Sequence, residues 1–145
     1  MLEAALTAED PATVRVGPMV NLGQLVTSLG QDPEPIFLGA GFQLDEFDEP
    51  DHRVSFVQAS GLLQQCAEAT DCDQLGFLLG LKACPSYLGI AGFLVRAAPT
   101  AETALNALVA NLDLHDECGS ARLEIGPEYT TLSYALHESG ASAYA

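Results

Sequence analysis

The spacing of apolar residues changes once along the chain, and this change constrains the fold more than any other feature of the sequence. Between residues 18 and 112, apolar side chains recur mostly three or four positions apart, which is the period of amphipathic α-helices. Residues 121–136 instead alternate apolar and polar side chains on both sides of a Gly-Pro pair, the pattern of two half-buried strands joined by a turn. The sequence therefore predicts an α+β fold, a predominantly helical single domain with a small C-terminal antiparallel β-hairpin.

Capping residues divide the helical region into short helices. Ser55, followed by Gln58 three positions later, has the form of a capping box at the start of a helix over residues 56–70. Thr100 is expected to cap a later helix in the same way, and Asp73 to cap a helix over residues 75–81.

Residues 1–16 show no sustained period, and we expect a flexible N-terminal arm there, followed by one domain over residues 17–145. A chain of 145 residues is of ordinary size for a single domain. The first residues lack the basic and apolar segments of a signal peptide, so a cytoplasmic protein with reduced thiols is expected.

Acidic residues strongly outnumber basic ones, with 20 Asp and Glu against 5 Lys and Arg and a formal net charge of −15. Contact with nucleic acid phosphates or with an anionic membrane surface requires clustered Lys and Arg. The sequence therefore excludes both for this segment, because its basic residues are scattered along the chain: Arg15, Arg53, Lys82, Arg96 and Arg122.

The apolar stretch over residues 75–95 is nearly long enough to cross a bilayer. Lys82 would lie near its centre, and Pro85 divides it, so two short buried helices are expected instead of a membrane span. Gly89 and Gly92 in the second of these helices would let another backbone or a ligand approach closely.

The four cysteines fit no zinc-binding pattern. Buried structural cysteine is the ordinary interpretation, since a free thiol behaves as a small apolar group. His115 precedes Cys118 by three positions, so a redox or metal sensor that uses His115 with Cys66, Cys72, Cys84 and Cys118 stays open as an alternative.

No catalytic constellation is present in the sequence. Phosphate loops, nucleophile elbows and dinucleotide fingerprints are all missing. His52, His115 and His137 are each able to act as a general base, but exposed or locally paired histidine is the expected state of all three. The sequence thus predicts a protein that is not an enzyme, with no catalytic residues, no metal and no cofactor.

Five stretches of the chain follow one another in a distinctive order and spacing: residues 25–30 with 36–44 (IFLGAGFQL), 50–56 (PDHRVSF), 62–80 (with Asp73 and LGFLLG), 87–93 (YLGIAGF) and 99–108 (PTAETALNAL). With the predicted hairpin they cover residues 18–137. This order resembles the N-terminal effector-binding domain of AraC-type transcription regulators, in the arabinose-binding-domain branch of that family.

The resemblance implies a sensor domain that binds a small-molecule effector, forms a homodimer and controls a C-terminal pair of helix-turn-helix units. Those DNA-binding units are absent from the 145 residues, so the resemblance also implies a fragment or an isolated effector domain. A ligand-free oligomerisation module stays open beside this interpretation, as does the Cys and His sensor.

The residues that would line an effector pocket are large groups on the expected inward faces of the helices and hairpin, where they would otherwise form plain core. Arg96, at the end of an apolar helix, either meets a carboxylate of the ligand or caps that helix. The remaining candidates are Phe77, Ile90, Phe93, Leu105, Tyr129 and Tyr134.

Overall fold

The computed structural model describes residues 12–136 of the chain. This part contains six α-helices and two antiparallel two-stranded sheets, so the predicted α+β fold is confirmed. The helices are α1 (Leu22–Ser28), α2 (Pro33–Gly39), α3 (Phe56–Thr70), α4 (Leu75–Lys82), α5 (Ile90–Ala97) and α6 (Ala101–Ala110). The strands are β1 (Thr13–Arg15), β2 (Arg53–Ser55), β3 (Gly119–Ile125) and β4 (Thr130–Leu136).

The predicted caps of α3 and α6 are confirmed, and the predicted cap of α4 is wrong. The side chains of Ser55 and Thr100 accept hydrogen bonds from the backbone N–H groups of Gln58 and Thr103. Residue Gln74 precedes α4 without a capping side chain. The N–H of Leu75 is instead bonded to the carbonyl of Cys72 at 3.1 Å, so a backbone turn starts this helix and Asp73 is not needed.

The sheet of β1 and β2 was not expected from the sequence. Val14 faces Val54 in an antiparallel register, and Val16, directly after β1, is fully buried. The predicted arm over residues 1–16 therefore extends too far along the chain, because residues 13–16 belong to the folded domain. The rest of that arm, residues 1–11, lies outside the described residues.

The hydrophobic core lies in the first half of the domain, between β1 and α4. Three phenylalanines form its centre: Phe47 contacts Phe37 and Phe42 edge to face, with ring centroids 5.1 and 5.4 Å away. The other buried apolar side chains of this cluster come mainly from α1, α3 and α4: Val16, Met19, Leu22, Leu25, Val26, Val54, Ala59, Leu62, Cys66, Leu75 and Leu79.

The second half of the domain is built differently. In the described part after α4, the buried residues are small or polar, and no large apolar side chain is fully buried: Ala91, Gly92, His115, Asp116 and Cys118. Helix α5 packs on α6, and α6 packs on β3. The second half is therefore an open layer of helices and hairpin, without a closed core.

The predicted hairpin is confirmed. Ala121 faces Tyr134 and Leu123 faces Leu132, which puts the apolar residues of β3 and β4 on one side of the sheet. Helix α6 covers part of this side next to β3, whereas β4 is exposed along most of its length. The hairpin thus has one apolar face that is only half covered.

The apolar stretch over residues 75–95 forms two short helices, as predicted. A 3-10 turn over Pro85–Leu88 separates α4 from α5. Within the described residues, no helix has both the length and the apolar character that a membrane crossing requires. The expectation that the second helix is buried is wrong, because Ile90 and Phe93 are 68% and 70% exposed.

Candidate ligand-binding region

Two glycines fix the position of α5. A Cβ atom at Gly92 would overlap the carbonyl oxygen of Pro85, so only glycine lets the helix lie directly on this backbone. Gly89, just before α5, has a φ of 60° and a Cα in contact with the Arg15 guanidinium. The predicted close approach at both glycines is confirmed. The approaching groups are the Pro85 carbonyl at Gly92 and the Arg15 guanidinium at Gly89.

Helix α5 also carries an exposed stripe, formed by Ile90, Phe93 and Arg96. These residues are spaced by three along the helix and so share one side of it. Arg96 lies in the last turn, and within the described residues its guanidinium makes no ion pair. We call this set the α5 stripe: two large apolar side chains that end in a free positive charge.

The structure brings some of the other candidates close to the α5 stripe and leaves others apart. Leu105 is half-buried on α6, the helix that packs on α5. Phe77 is 66% exposed on α4, which packs on the helices of the first half. Tyr129 is 75% exposed at the tip of the hairpin, and Tyr134 is half exposed on β4.

The expectation of an inward-facing side chain is therefore wrong for Phe77, Ile90, Phe93 and Tyr129, which are 66% to 75% exposed. The physical reason is that α4 and α5 are too short and too apolar for periodicity to identify a single inner face. Their part in ligand binding stays a prediction.

The surface of residues 12–136 includes two open depressions, neither of which is enclosed. One of about 310 Å³ lies at the tip of the hairpin and includes Ile125 and Tyr129. Another of about 210 Å³ lies between α1 and the 3-10 turn Leu44–Phe47, and none of the candidates lines it. A small-molecule site buries most of its ligand, so these open depressions do not form a complete pocket by themselves.

A cluster of polar groups lies where the hairpin meets the first half of the domain. The buried Asp116 carboxylate accepts hydrogen bonds from the Tyr134 hydroxyl and, at 2.7 Å, from the backbone N–H of Cys118. Val14 forms an isolated antiparallel bridge with Asp116, so β1 reaches both halves of the domain. Burial and the hydrogen bond to Asp116 both raise the pKa of Tyr134 above its usual value.

Two of the five basic residues of the chain lie at the same junction. Arg15 forms an ion pair with Asp51, and Arg53 forms one with Glu117, with its Nη2 atom 3.4 Å from Oε1 of Glu117. The Glu117 carboxylate also accepts hydrogen bonds from the hydroxyl and the backbone N–H of Thr13, which lower its pKa. These contacts fasten the segment before β3 to the β1–β2 sheet.

His115 is buried in this cluster, and its Nδ1 has no hydrogen-bond partner among the described residues. Burial and the nearby Arg15 and Arg53 guanidinium groups lower the pKa of His115, against the opposing effect of Asp116. The expectation of an exposed or locally paired side chain is wrong for His115. It is confirmed for His52, whose Nε2 lies 3.5 Å from Glu46, and His137 lies outside the described residues.

All four cysteines are free thiols in the structure. Cys66 and Cys118 are buried, and burial raises the pKa of each to about 11. Cys84 is exposed, and its hydrogen bond to the Ser86 hydroxyl, with a 2.6 Å separation, lowers its pKa. Within the described residues, no group of three or more His, Cys, Asp and Glu side chains is arranged to hold a metal ion.

The sequence did not predict the polar cluster between the hairpin and the β1–β2 sheet. Asp116 and Tyr134 are 18 positions apart, and Thr13 and Glu117 are 104 positions apart. No spacing rule links residues at such separations. The one available signal was local, since His115 and Asp116 stand together just before a predicted strand.

Comparison with known protein families identifies the domain. The family described as the arabinose-binding domain of AraC transcription regulators, an N-terminal domain, matches residues 30–144. This match spans well over half of the chain, so the chain belongs to that family, and the resemblance seen in the sequence is confirmed. No curated protein matches the chain.

Proposed function

We propose that this arabinose-binding-type domain senses a small-molecule effector and thereby controls DNA binding by a separate domain of an AraC-type regulator in the cytoplasm. The observation that carries the proposal is the family match over residues 30–144. The charge of the chain supports it, because a net charge of −15 opposes contact with DNA phosphates by this domain itself.

We place effector binding on the α5 stripe and the adjacent Leu105 of α6. Small-molecule sites combine apolar walls with a few polar groups, and the α5 stripe presents Ile90, Phe93 and a guanidinium that no carboxylate occupies within the described residues. An arginine binds a carboxylate through two parallel hydrogen bonds. The matching effector is therefore a small carboxylic acid with an apolar body.

The distribution of acidic residues supports an anionic effector. No Asp or Glu occurs between Asp73 and Glu102, although the chain contains 20 acidic residues. This acid-free segment includes α5 and both Lys82 and Arg96. A carboxylate would meet less repulsion here than along other parts of the chain.

A thermal-shift panel tests the proposal. It pairs aromatic and alicyclic carboxylic acids with their uncharged amides and includes neutral sugars such as arabinose. A bound effector stabilises the fold by mass action, by about 2.7 kcal/mol at a hundred times its Kd. We expect the acids to raise the melting temperature and the amides to do so less.

Variants locate the site. Phe93→Ala and Arg96→Gln should each reduce the ligand-induced shift, because each removes one part of the α5 stripe. Arg122→Gln is the matched control, since Arg122 is an exposed arginine paired with Glu124 on the hairpin, 2.9 Å away. A panel without any stabilising compound, or equal losses in all three variants, would contradict the proposed site.

A second candidate is an oligomerisation module without a ligand. The exposed apolar side chains favour it, above all Phe77 and Leu81 on α4, which are 66% and 67% exposed. Apolar patches of this kind mark interaction surfaces as often as ligand sites. Self-association without a thermal shift from any compound of the panel would support this candidate over the effector domain.

A further inference from the structure

Strand β4 pairs along one edge with β3, and its other edge meets no strand of residues 12–136. Six of its seven residues are exposed. At the turn, the N–H of Gly126 donates to the carbonyl of Tyr129 at 3.0 Å. Since bonded pairs alternate along an antiparallel ladder, the backbone groups of Thr131, Ser133 and Ala135 face β3. Those of the alternate residues face outward: Thr130, Leu132, Tyr134 and Leu136.

Within residues 12–136, this edge shows none of the devices that keep edge strands apart. Proteins protect such strands with charged side chains, proline, bulges or a covering segment. The segment Thr130–Leu136, TTLSYAL, contains no charged residue and no proline, and its pairing with β3 runs without a bulge. An unprotected edge of seven residues is a template for another strand.

We propose that the occupant of this edge is β4 of a second copy of the chain, paired antiparallel about a two-fold axis at Ser133. The proposal rests on the proposed effector domain and adds dimerisation to it, and it does not depend on the identity of the effector. Two facing hairpins then form one four-stranded sheet.

Charge favours a second copy at this place. Two chains that each carry −15 repel each other over most of their surfaces. Self-association is least opposed where both partners are uncharged, and β4 is such a strand. The nearest charges on β3, Arg122 and Glu124, form an ion pair and cancel.

The register follows from the outward-facing backbone groups. With the axis at Ser133, Leu132 pairs with Tyr134 of the second copy, and Thr130 pairs with Leu136 of that copy. The N–H and carbonyl groups of these four residues face the partner strand and form the inter-chain hydrogen bonds. Because Ser133 is the central residue of β4, all seven residues of each strand overlap. Every pair also keeps the apolar faces of both hairpins on the same side.

Pairing covers apolar surface that the single chain leaves open. Leu132 and Tyr134 are 46% and 51% exposed. In the dimer, Leu132 of each chain would contact Tyr134 of the other chain, and such aromatic–aliphatic cross-strand pairs stabilise sheets. A two-stranded sheet is marginal in water, whereas one with four strands and an apolar face is stable.

A charge-introduction experiment tests the interface. Ser133 faces solvent, so Ser133→Lys is compatible with the folded hairpin. In the dimer, the two introduced lysine side chains would lie opposite each other in a non-bonded pair with Cα atoms about 4.5 Å apart. Sedimentation velocity from about 1 to 100 μM should show a dimer for the native chain. The dissociation constant of the Ser133→Lys dimer should be about tenfold higher or more.

Two further samples make the result specific. Ser120→Lys places the same charge on the same face of the hairpin, on β3, and should leave the dimer intact. Equimolar Ser133→Lys and Ser133→Glu chains should form a heterodimer, because opposite charges then meet at the axis. Circular dichroism confirms that each variant is folded.

A monomeric native chain would overturn the proposal, as would a dimer that Ser133→Lys leaves unchanged. A monomer whose Leu132 and Tyr134 amides exchange slowly would show that another segment of the same chain covers the edge, which also overturns it. Failure here is distinguishable from failure of the effector proposal, because the thermal shift with carboxylic acids does not require the dimer.

Discussion

The Tyr134 hydroxyl donates a hydrogen bond to the buried Asp116 carboxylate, and this contact joins β4 to the segment that precedes β3. The same carboxylate holds the backbone N–H of Cys118, so one aspartate fixes the base of the hairpin. Asp116 also bridges to Val14 of β1. The hairpin is thereby attached to the first half of the domain through polar contacts.

Tyr134→Phe should lower the free energy of unfolding by about 1 to 2 kcal/mol, because Asp116 loses a partner while it stays buried. Urea denaturation followed by circular dichroism measures the change. Tyr129→Phe is the control. Tyr129 is 75% exposed at the hairpin tip, so this substitution should not measurably change the free energy of unfolding. Equal losses for both variants would contradict the role given to the Asp116 contact.

The stability of the domain should fall as pH drops through the titration range of histidine. The lowered pKa of His115 means that the unfolded chain takes up a proton near the ordinary value of 6.5 while the folded chain resists it. The stabilisation is therefore complete above that value and is lost below it. Urea midpoints at about pH 8 and about pH 5.5 measure the loss.

Two variants assign this pH dependence to one side chain. His115→Gln should remove most of the difference between the urea midpoints at the two pH values. His52→Gln should retain that difference, because His52 is exposed beside Glu46. Persistence of the full difference in His115→Gln would show that other groups cause it.

Gly92→Ala should destabilise the domain by at least about 2 kcal/mol, because the new Cβ overlaps the Pro85 carbonyl and α5 must move. Gly76→Ala is the matched helical control. The Cβ there meets no atom within 4 Å, so the better helix propensity of alanine should stabilise α4 by about 0.5 to 1 kcal/mol. Melting temperatures that shift in the same direction for both would contradict this packing.

The thiols should react in a fixed order with iodoacetamide. Cys84 is exposed and its pKa is lowered by the hydrogen bond to Ser86, so it should be alkylated first. Burial keeps Cys66 and Cys118 protonated and shielded until the chain unfolds. Timed alkylation with peptide mass spectrometry gives the order, and Ser86→Ala should slow the reaction of Cys84.

The sequence predicts those parts of the fold that residues a few positions apart determine. Ser55 with Gln58 identifies the start of α3, and the alternation around Gly126 identifies the hairpin with the correct faces. The pairing of β1 with β2 could not be predicted. Val14 and Val54 are 40 positions apart, and three-residue strands are too short to display alternation.

The candidate site could be predicted only in part. The apolar run after Pro85 located α5 and its two close-approach glycines, but a helix that is apolar on nearly every side does not reveal which side faces the protein. Gly92 decides this, because its missing side chain lets α5 lie on the Pro85 backbone and turns Phe93 toward solvent. Family resemblance indicates a sensor domain, and the proposed carboxylate chemistry of the ligand rests on the exposed position of Arg96 on α5.

The unequal burial of the two halves bears on how such a domain diversifies. Substitutions among the core residues between β1 and α4 are filtered by packing, since each fully buried side chain contributes directly to stability. Most exposed positions of α5 and the hairpin are under no such constraint, and Tyr134, which bonds to Asp116, is an exception. With the effector site on α5, as proposed, a change in the molecule that is recognised carries little risk to folding, because specificity and stability then depend on different residues.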